Sequence, residues 1–447
     1  MRVIIIGAGK IGFNIARIMV GQKHDVVFIE KDEGRAKILQ DKLDIQVVIG
    51  NGASAPVLQE AGVSEAQLLI AVTEMDEVNM IACIMAKNFG VEKTVARVRN
   101  PEYLEIDRRP RKGAFSWIDL VINPELVTAY EIAKLIDVPE ALDVVYYGGG
   151  SIQLLELKIA KGAEVAGKQL KDLNIPYPFI IVGLNREGQI LIPRGFDMLL
   201  AGDIVFILAQ TSDMVKIEHL FGIERKRAER VMILGGGFTG YYLAKMLEER
   251  KYAVKIIEKE YMRCQELSGL LNNTLVLHGD STDLDLLKAE GAGDADVFAC
   301  LTDDDKTNLL ASLIVKHLGA KKTIVQVRRS DYISFLGNVG IDAGVSPRTL
   351  TANAILRFIN RASNVLSVTL LSREGAEMME YVVSDKAKIA GKKLKELNFP
   401  TGAVIGTVYR DNKMIIPRGD DYIMPGDAVT VFALPKAATR ITDYFAT

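Results

Sequence analysis

The chain has 447 residues, 49% of them hydrophobic and 25% charged, with a net charge of −2. That size predicts about two to four domains of roughly 100–200 residues each, in an ordinary soluble globular class with ample core. A charge so near balance gives no reason to expect a nucleic-acid partner, which needs clustered Lys and Arg. No stretch approaches the ~20 apolar residues that span a bilayer.

The first segment alternates strands and helices. Arg2–Ile6 reads as a buried strand, and Gly7 turns that short apolar run into a strand–helix start rather than a signal peptide. Ile11–Gly21 reads as helix, Asp25–Glu30 as strand, Glu33–Leu43 as helix, Gln46–Ile49 as strand and Pro56–Ala61 as a short helix. Leu68–Val72 is a fourth strand, Asp76–Asn88 a helix and Thr94–Val98 a fifth strand. Strands alternating with helices at these lengths predict a parallel, doubly wound α/β sheet. Glu125–Ile136 and Thr349–Phe358 read as further helices, hinge or dimer arm on one reading and core on the other.

The order then repeats. Gly7, Gly9 and Gly12 have the G-x-G-x-x-G spacing, and Gly235, Gly237 and Gly240 reproduce it 228 residues later. Glu30 and Glu258, the acids ending the second strand of each half, are also 228 apart. Thr73, Asp76 and Asn79 return as Thr302, Asp305 and Asn308, and the turn 50–54 returns at 279–282. A second kind of unit follows each α/β unit. Ala166-Gly167-Lys168-x-Leu170 recurs as Ala390-Gly391-Lys392-x-Leu394, and Gly202-Asp203 as Gly426-Asp427. Turn residues between short strands make it a small α+β module. The chain is therefore A–B–A′–B′, divided at 1–138, 139–224, 225–362 and 363–447. Its linkers are expected near Asp137–Tyr147 and in the solvated charge run Glu224–Arg230.

A strand feeding a glycine turn into a helix aims backbone N–H groups and the positive helix end at one point, which suits a phosphate. Gly7 permits the turn, Gly9 lets a pyrophosphate approach, and Gly12 lets helix and strand pack closely. Glu30, 18 residues past Gly12, is placed to accept hydrogen bonds from a ribose diol and to repel the extra phosphate of NADP; Glu258 does the same in the second half. The other reading is that these acids only cap the next helix. Thr73 and Thr302 are expected to line the pockets, whereas Asp76 and Asp305 either do so or cap the following helix. Arg97 and Arg99, ending the fifth strand, are expected on opposite sides of it, with Arg97 in reach of a phosphate. The second half has Gln326 and Arg328 there, so the two pockets are expected to be unequal.

No catalytic set is visible. Between Asp137 and Glu218, and from Val365 onward, there is neither His nor Cys, and Lys168 and Lys392 are expected to face water. His24, His219, His278 and His317 have no metal-ligand spacing, so no metal site is expected. Cys83, Cys264 and Cys300 form no C-x-x-C pair and are expected to be buried in a reducing cytoplasm. A nucleotide-binding sensor is the simpler expectation. The alternatives are an NAD-dependent oxidoreductase or a nucleotide-controlled regulator of another channel or transporter.

The doubled arrangement resembles the regulatory subunits of Trk-type potassium uptake systems, the TrkA family. The residues that carry it are Gly7-Ala8-Gly9 with Glu30, Ala71-Val72-Thr73 with Asp76 and Asn79, Ala96-Arg97-Val98-Arg99 and the repeated Ala-Gly-Lys-x-Leu. The resemblance implies two Rossmann-like RCK domains, each followed by an RCK C-terminal domain. It also implies a non-enzymatic role: a cytoplasmic gating ring, expected as a homotetramer, on the inner face of the membrane, docked on a TrkH-type potassium-translocating subunit. By the same resemblance Gly7, Ala8, Gly9, Lys10, Ile11, Glu30, Thr73, Glu74 and Arg97 would contact NAD(H), with ATP or ADP as further ligands. Gly235, Gly236, Gly237, Phe238, Thr239, Glu258, Thr302 and Asp303 would do so in the second half.

Overall fold

The run Val3-Ile4-Ile5-Ile6 has no polar side, and such a strand needs cover on both faces. In the computed structural model it lies buried in β1 (Arg2–Ile6), inside a six-stranded parallel sheet. The structure describes all residues except 22, 106–116, 139–140, 174, 225–226, 281, 330–331, 361–364, 372–375, 412 and 446–447. The sheet's other strands are β2 (Asp25–Glu30), β3 (Gln46–Ile49), β4 (Leu68–Ala71), β5 (Lys93–Arg97) and β6 (Leu120–Ile122), in the order β3-β2-β1-β4-β5-β6. The connecting helices are α1 (Lys10–Gly21), α2 (Glu33–Lys42), α3 (Ala55–Glu60), α4 (Asp76–Asn88) and α5 (Pro101–Glu105), with α6 (Pro124–Asp137) leaving the last strand. The strand order reverses between β1 and β4, the place where open α/β sheets bind ligands at their carboxyl ends.

The module that follows is an antiparallel sheet of β7 (Asp143–Tyr147), β8 (Ile152–Lys158), β9 (Phe179–Arg186), β10 (Gln189–Leu191) and β11 (Ile204–Gln210), with α7 (Met214–Leu220). The parallel sheet then returns with β12 (Arg230–Leu234), β13 (Ala253–Glu258), β14 (Leu275–His278), β15 (Val297–Cys300), β16 (Lys322–Gln326) and β17 (Ala343–Val345). Its helices are α8 (Phe238–Glu249), α9 (Tyr261–Leu270), α10 (Leu284–Ala289), α11 (Asp305–Leu318), α12 (Ile333–Leu336) and α13 (Pro347–Asn360). The second antiparallel sheet comprises β18 (Val365–Leu370), β19 (Glu377–Val382), β20 (Ala403–Arg410), β21 (Lys413–Ile415) and β22 (Ala428–Ala433), closed by α14 (Pro435–Phe445).

By contacts the chain forms two compact units, Met1–Thr128 with Pro347–Phe358, and Ala129–Ser346 with Ile359–Thr447. Two of the three unit boundaries cut helices that belong by sequence to the α/β repeats, α6 after Thr128 and α13 after Phe358, and the third falls where α13 begins. Within the second unit the two antiparallel sheets share one core, in which Leu154, Phe206 and Leu208 meet Met378 and Phe432. The Phe206 and Phe432 ring centres are 5.8 Å apart.

The repeated Gly-Asp in these modules has a physical reason. Asp203, 3% exposed, takes Arg186 Nε and Nη2 at 2.8 and 2.7 Å and the Leu200 N–H at 2.8 Å. Asp427 repeats this with Arg410 and the Met424 N–H, all at 2.7 Å. Burial alone would raise the Asp203 carboxyl, but the guanidinium and the N–H outweigh it and hold it low. Lys168 and Lys392 are exposed, as expected. The three cysteines are free and buried. The run 224–230 is less solvated than expected: Ala228 is buried, and the Glu229 and Arg230 N–H groups both donate to Asp296 Oδ2 at 2.9 Å; residues 225–226 of that run lie outside the described residues.

Asp296 makes a pH-dependent contribution. Burial pushes its carboxyl up, but Lys321 and those two N–H donors prevail and hold it at about 2. A group depressed when folded stabilises the fold above its unfolded pKa of ~3.9 and loses that effect as pH falls through its folded value. Asp296→Asn should therefore lower the melting temperature at pH 7, with the gap to wild type closing as the pH falls from about 4 to 2. Melts followed by circular dichroism test this; a gap that does not narrow would mean that the charge is not what matters.

Candidate functional site

Both glycine turns are shaped by missing side chains. Gly7 and Gly235 leave their strands at φ 101° and 100°, a region that L side chains avoid. A Cβ at Gly12 would lie 2.2 Å from the Gly7 carbonyl oxygen, and one at Gly240 2.1 Å from that of Gly235. Helix and strand therefore meet at a spacing that no other residue permits. Over Gly9 and Gly237 the space is open, with nothing among the described residues within 4 Å of an added Cβ. Each turn opens a helix of 12 residues, α1 or α8, whose first N–H groups and positive dipole end suit a phosphate.

The acids at the ends of β2 and β13 lie against these turns. Glu30, 6% exposed, accepts the Ala8 N–H at 2.6 Å on one oxygen and the Asp32 N–H at 3.0 Å on the other. Glu258 accepts the Gly236 N–H at 2.7 Å and the Glu260 N–H at 2.9 Å. The cap of α2 is Asp32, which takes the Arg35 N–H, so capping is not Glu30's role. A carboxylate has about four acceptor positions, and each of these keeps capacity for a diol beside the turn.

Behind the turns stands a buried amide that sequence reading saw in the spacing but gave no role. Asn79, 0% exposed, accepts the Thr73 N–H at 2.9 Å and its hydroxyl at 2.7 Å, and donates to the Thr73 and Arg97 carbonyls at 3.1 and 2.9 Å. Asn308 repeats all four with Thr302 and Gln326. One amide thus pins the carboxyl end of β4 to that of β5, and its counterpart pins β15 to β16. Thr73 and Thr302 are half-buried beside the turns, while Glu74 and Asp303 are exposed.

Asp76 and Asp305 take a role that neither expectation described. Asp76 Oδ2 accepts the Arg99 and Asn100 N–H groups, both at 2.8 Å, and Asp305 accepts those of Arg328 and Arg329 at 2.8 and 3.2 Å. They hold the loop after the fifth strand, and the cap of α11 is Asp304. Arg97 and Arg99 part for a different reason than expected, since residues two apart in a strand share a side. β5 ends at Arg97. Arg97 Nη1 donates to the Thr73 carbonyl at 3.0 Å, while Arg99 Nε reaches Glu125 at 2.7 Å. Burial pulls the Arg97 pKa below its ordinary value, against the neighbouring carboxylates of Glu125, Asp76 and Glu74. Arg97 Nε and Asp76 Oδ1 are buried and have no hydrogen-bond partner among the described residues.

The second site is chemically different. Phe238 replaces the exposed Lys10, and Gln326, 7% exposed and with no partner for its Oε1 among the described residues, replaces Arg97. Arg328 pairs with Asp303 at 2.6 Å. Arg263, which sequence reading missed, donates Nε to the Gly236 carbonyl at 2.7 Å and lies 5.7 Å from the Phe238 ring centre. A cation plugging the turn's own carbonyl leaves no signal in a motif. Among the described residues no group of three or more His, Cys, Asp or Glu is arranged to hold a metal.

Asn79→Ala would strand several buried partners. It should destabilise the first unit by about 1–3 kcal/mol, read from urea unfolding; an unchanged midpoint would show that the amide is dispensable.

The chain's matches to known proteins run along its whole length. The TrkA-N domain family matches residues 3–124 and 231–347, and the TrkA-C domain family matches 154–222 and 378–446. The Trk system potassium uptake protein TrkA homolog 1 of Methanosarcina mazei is 40% identical over 455 residues, covering 100% of both chains. The Trk system potassium uptake protein TrkA of Vibrio alginolyticus is 35% identical over 98% of this chain and 96% of its own. Among solved structures, the GsuK channel bound to NAD superposes with a TM-score of 0.62 at 20% identity, over 99% of this chain and 78% of that one, a likeness of fold. Alternating TrkA-N and TrkA-C matches and end-to-end identity to TrkA proteins place this chain in the TrkA family of Trk system potassium uptake proteins.

Proposed function

We propose that this chain is a nucleotide-binding subunit that regulates potassium uptake through a Trk-type membrane subunit. The observation that carries the reading is the pair of glycine turns, each with a carboxylate on its backbone and open space above its second glycine, in a chain of the TrkA family. NAD(H) is the proposed ligand, with ATP or ADP competing. Gly7 to Ile11 and Gly235 to Thr239 would hold phosphates. Glu30 and Glu258 would take a ribose diol, while Thr73, Glu74, Arg97, Thr302 and Asp303 would border the ligand.

Several further points belong to the same proposal. The chain would work on the cytoplasmic side as a homotetrameric ring docked on a TrkH-type subunit. No helix among the described residues is long and apolar enough to cross a membrane, so ion passage would lie with that partner. Domain limits of 1–138, 139–224, 225–362 and 363–447 accompany it. A regulator is favoured over an oxidoreductase because the Thr73 hydroxyl, the Asp76 carboxylate and the Glu30 carboxylate are each engaged with backbone groups, of Met75, Arg99 and Ala8, which suits holding a ligand more than moving a proton.

Cells lacking this protein test the reading through rubidium uptake. Wild type should restore uptake, and the Glu30→Ala/Glu258→Ala double variant should change it. In the isolated protein Glu30→Ala should weaken NADH binding at the first site by about 1.5–3 kcal/mol. Uptake indifferent to the protein would sink the transport role, and affinity unchanged for both NADH and ATP would remove Glu30 from the site.

A further inference from the structure

Helix α6 starts in the first unit and ends in the second. Its start is fixed to the first nucleotide pocket. Glu125, in its first turn, takes Arg99 Nε, and Asn123 accepts the Leu126 N–H at 2.7 Å while donating to the Arg99 carbonyl at 2.9 Å. Arg99 itself hangs on Asp76, beside Thr73 and Arg97. The helix therefore begins on the loop that leaves the pocket's edge.

The other end is fastened by an unusual group. Lys322, the first residue of β16, is 4% exposed, and its ammonium donates to the carbonyls of Leu135, Ala141 and Val138 at 2.9, 2.8 and 3.4 Å. The last carbonyls of a helix lack intrahelical donors and carry the negative end of its dipole. A buried ammonium is costly unless its protons find acceptors, and backbone carbonyls at the end of α6 are among those this one meets. Asp137, the last helical residue, is also held by Arg250 Nη1 and by the Tyr252 hydroxyl at 2.9 Å.

The first unit contains the counterpart. Lys93, the first residue of β5, has its ammonium 5.8 Å from the ring centre of Phe358, near the end of α13. Phe358 holds the place in α13 that Leu135 holds in α6. A lysine opening the fifth strand thus meets, in each unit, the end of the helix that follows the other half's sheet.

Resting on the nucleotide reading above, we propose that Lys322 is a positioning residue that couples the first nucleotide pocket to the second half of the chain. By latching the end of α6, it makes a shift of the Arg97–Asn100 loop on ligand binding move a rigid rod of roughly 20 Å rather than fray its far end.

Hydrogen–deuterium exchange of the full chain with NADH tests this, in a Glu258→Ala background that silences the second pocket. In that background NADH should slow exchange at residues 7–12 and also alter it at 320–328. Adding Lys322→Met should speed exchange at 133–138 about tenfold and abolish the response at 320–328. It should leave NADH affinity within about threefold and protection of 7–12 intact. Protection of 7–12 with an undiminished response at 320–328 would overturn the latch alone, whereas no protection of 7–12 before that change would overturn the nucleotide reading and the latch with it. Should Lys322→Met fail to fold, Arg250→Gln loosens the same helix end from the surface. A weakened response at 320–328 in that variant supports the latch, and a full one overturns it.

Discussion

The contact on which both pockets depend is one in which an atom is missing. At Gly12 and Gly240 the first turn of the helix rests on the carbonyl of the glycine that leaves the strand, about a bond and a half from where a Cβ would stand. That closeness aims the helix end at the carboxyl edge of the sheet and brings the turn's N–H groups within reach of the acid on the neighbouring strand. Glu30 and Glu258 then hold the turn by its backbone. A larger residue at position 12 would push the helix back, and the acid, the turn and the dipole would no longer converge.

Two copies of this geometry sit in one chain without being equivalent. The first has the exposed Lys10 at the turn and the buried Arg97, whose Nη1 donates to the Thr73 carbonyl, so it carries more positive charge. The second offers the Phe238 face and the Gln326 carboxamide, and its nearest arginines are committed, Arg263 to the Gly236 carbonyl and Arg328 to Asp303. The backbone cradle is shared, while charge differs around it. A difference of that kind changes the electrostatics of each pocket while leaving the fold of each pocket alone.

Much of this was legible in the sequence. The strand Gln46–Ile49 and the helix Asp76–Asn88 lie where their patterns place them, because β-branched runs and a helical period are local signals. β6 and β17 escaped notice because three-residue strands carry no periodicity. The repeated Thr-x-x-Asp-x-x-Asn was visible, yet what its members do was not. Asp76 looks like a cap and instead reaches 23 residues along the chain to the Arg99 N–H. Asn79 reaches Arg97, and Lys322 reaches Leu135, 187 residues away. Side-chain-to-backbone bonds of such range follow from topology, which a motif does not encode.

Joining two α/β units in one polypeptide makes their association intramolecular, so the effective concentration of one for the other is set by the connection. A loose connection would hold them near each other without coordinating them. Coordination needs an element with discrete arrangements that both sites bias. α6 and α13 have the form for this, each carrying residues of one compact unit at its start or along its length and ending in the other. Their ends matter more than their middles. A helix interior satisfies its own hydrogen bonds and is indifferent to a distant ligand, whereas an end with unpaired carbonyls frays unless something meets it. Burying an ammonium there costs solvation that a hydrophobic contact would not, but it ties the helix end to one geometry. For a helix that is to carry a displacement from one end to the other, a single well-defined geometry is worth more than the last increment of stability.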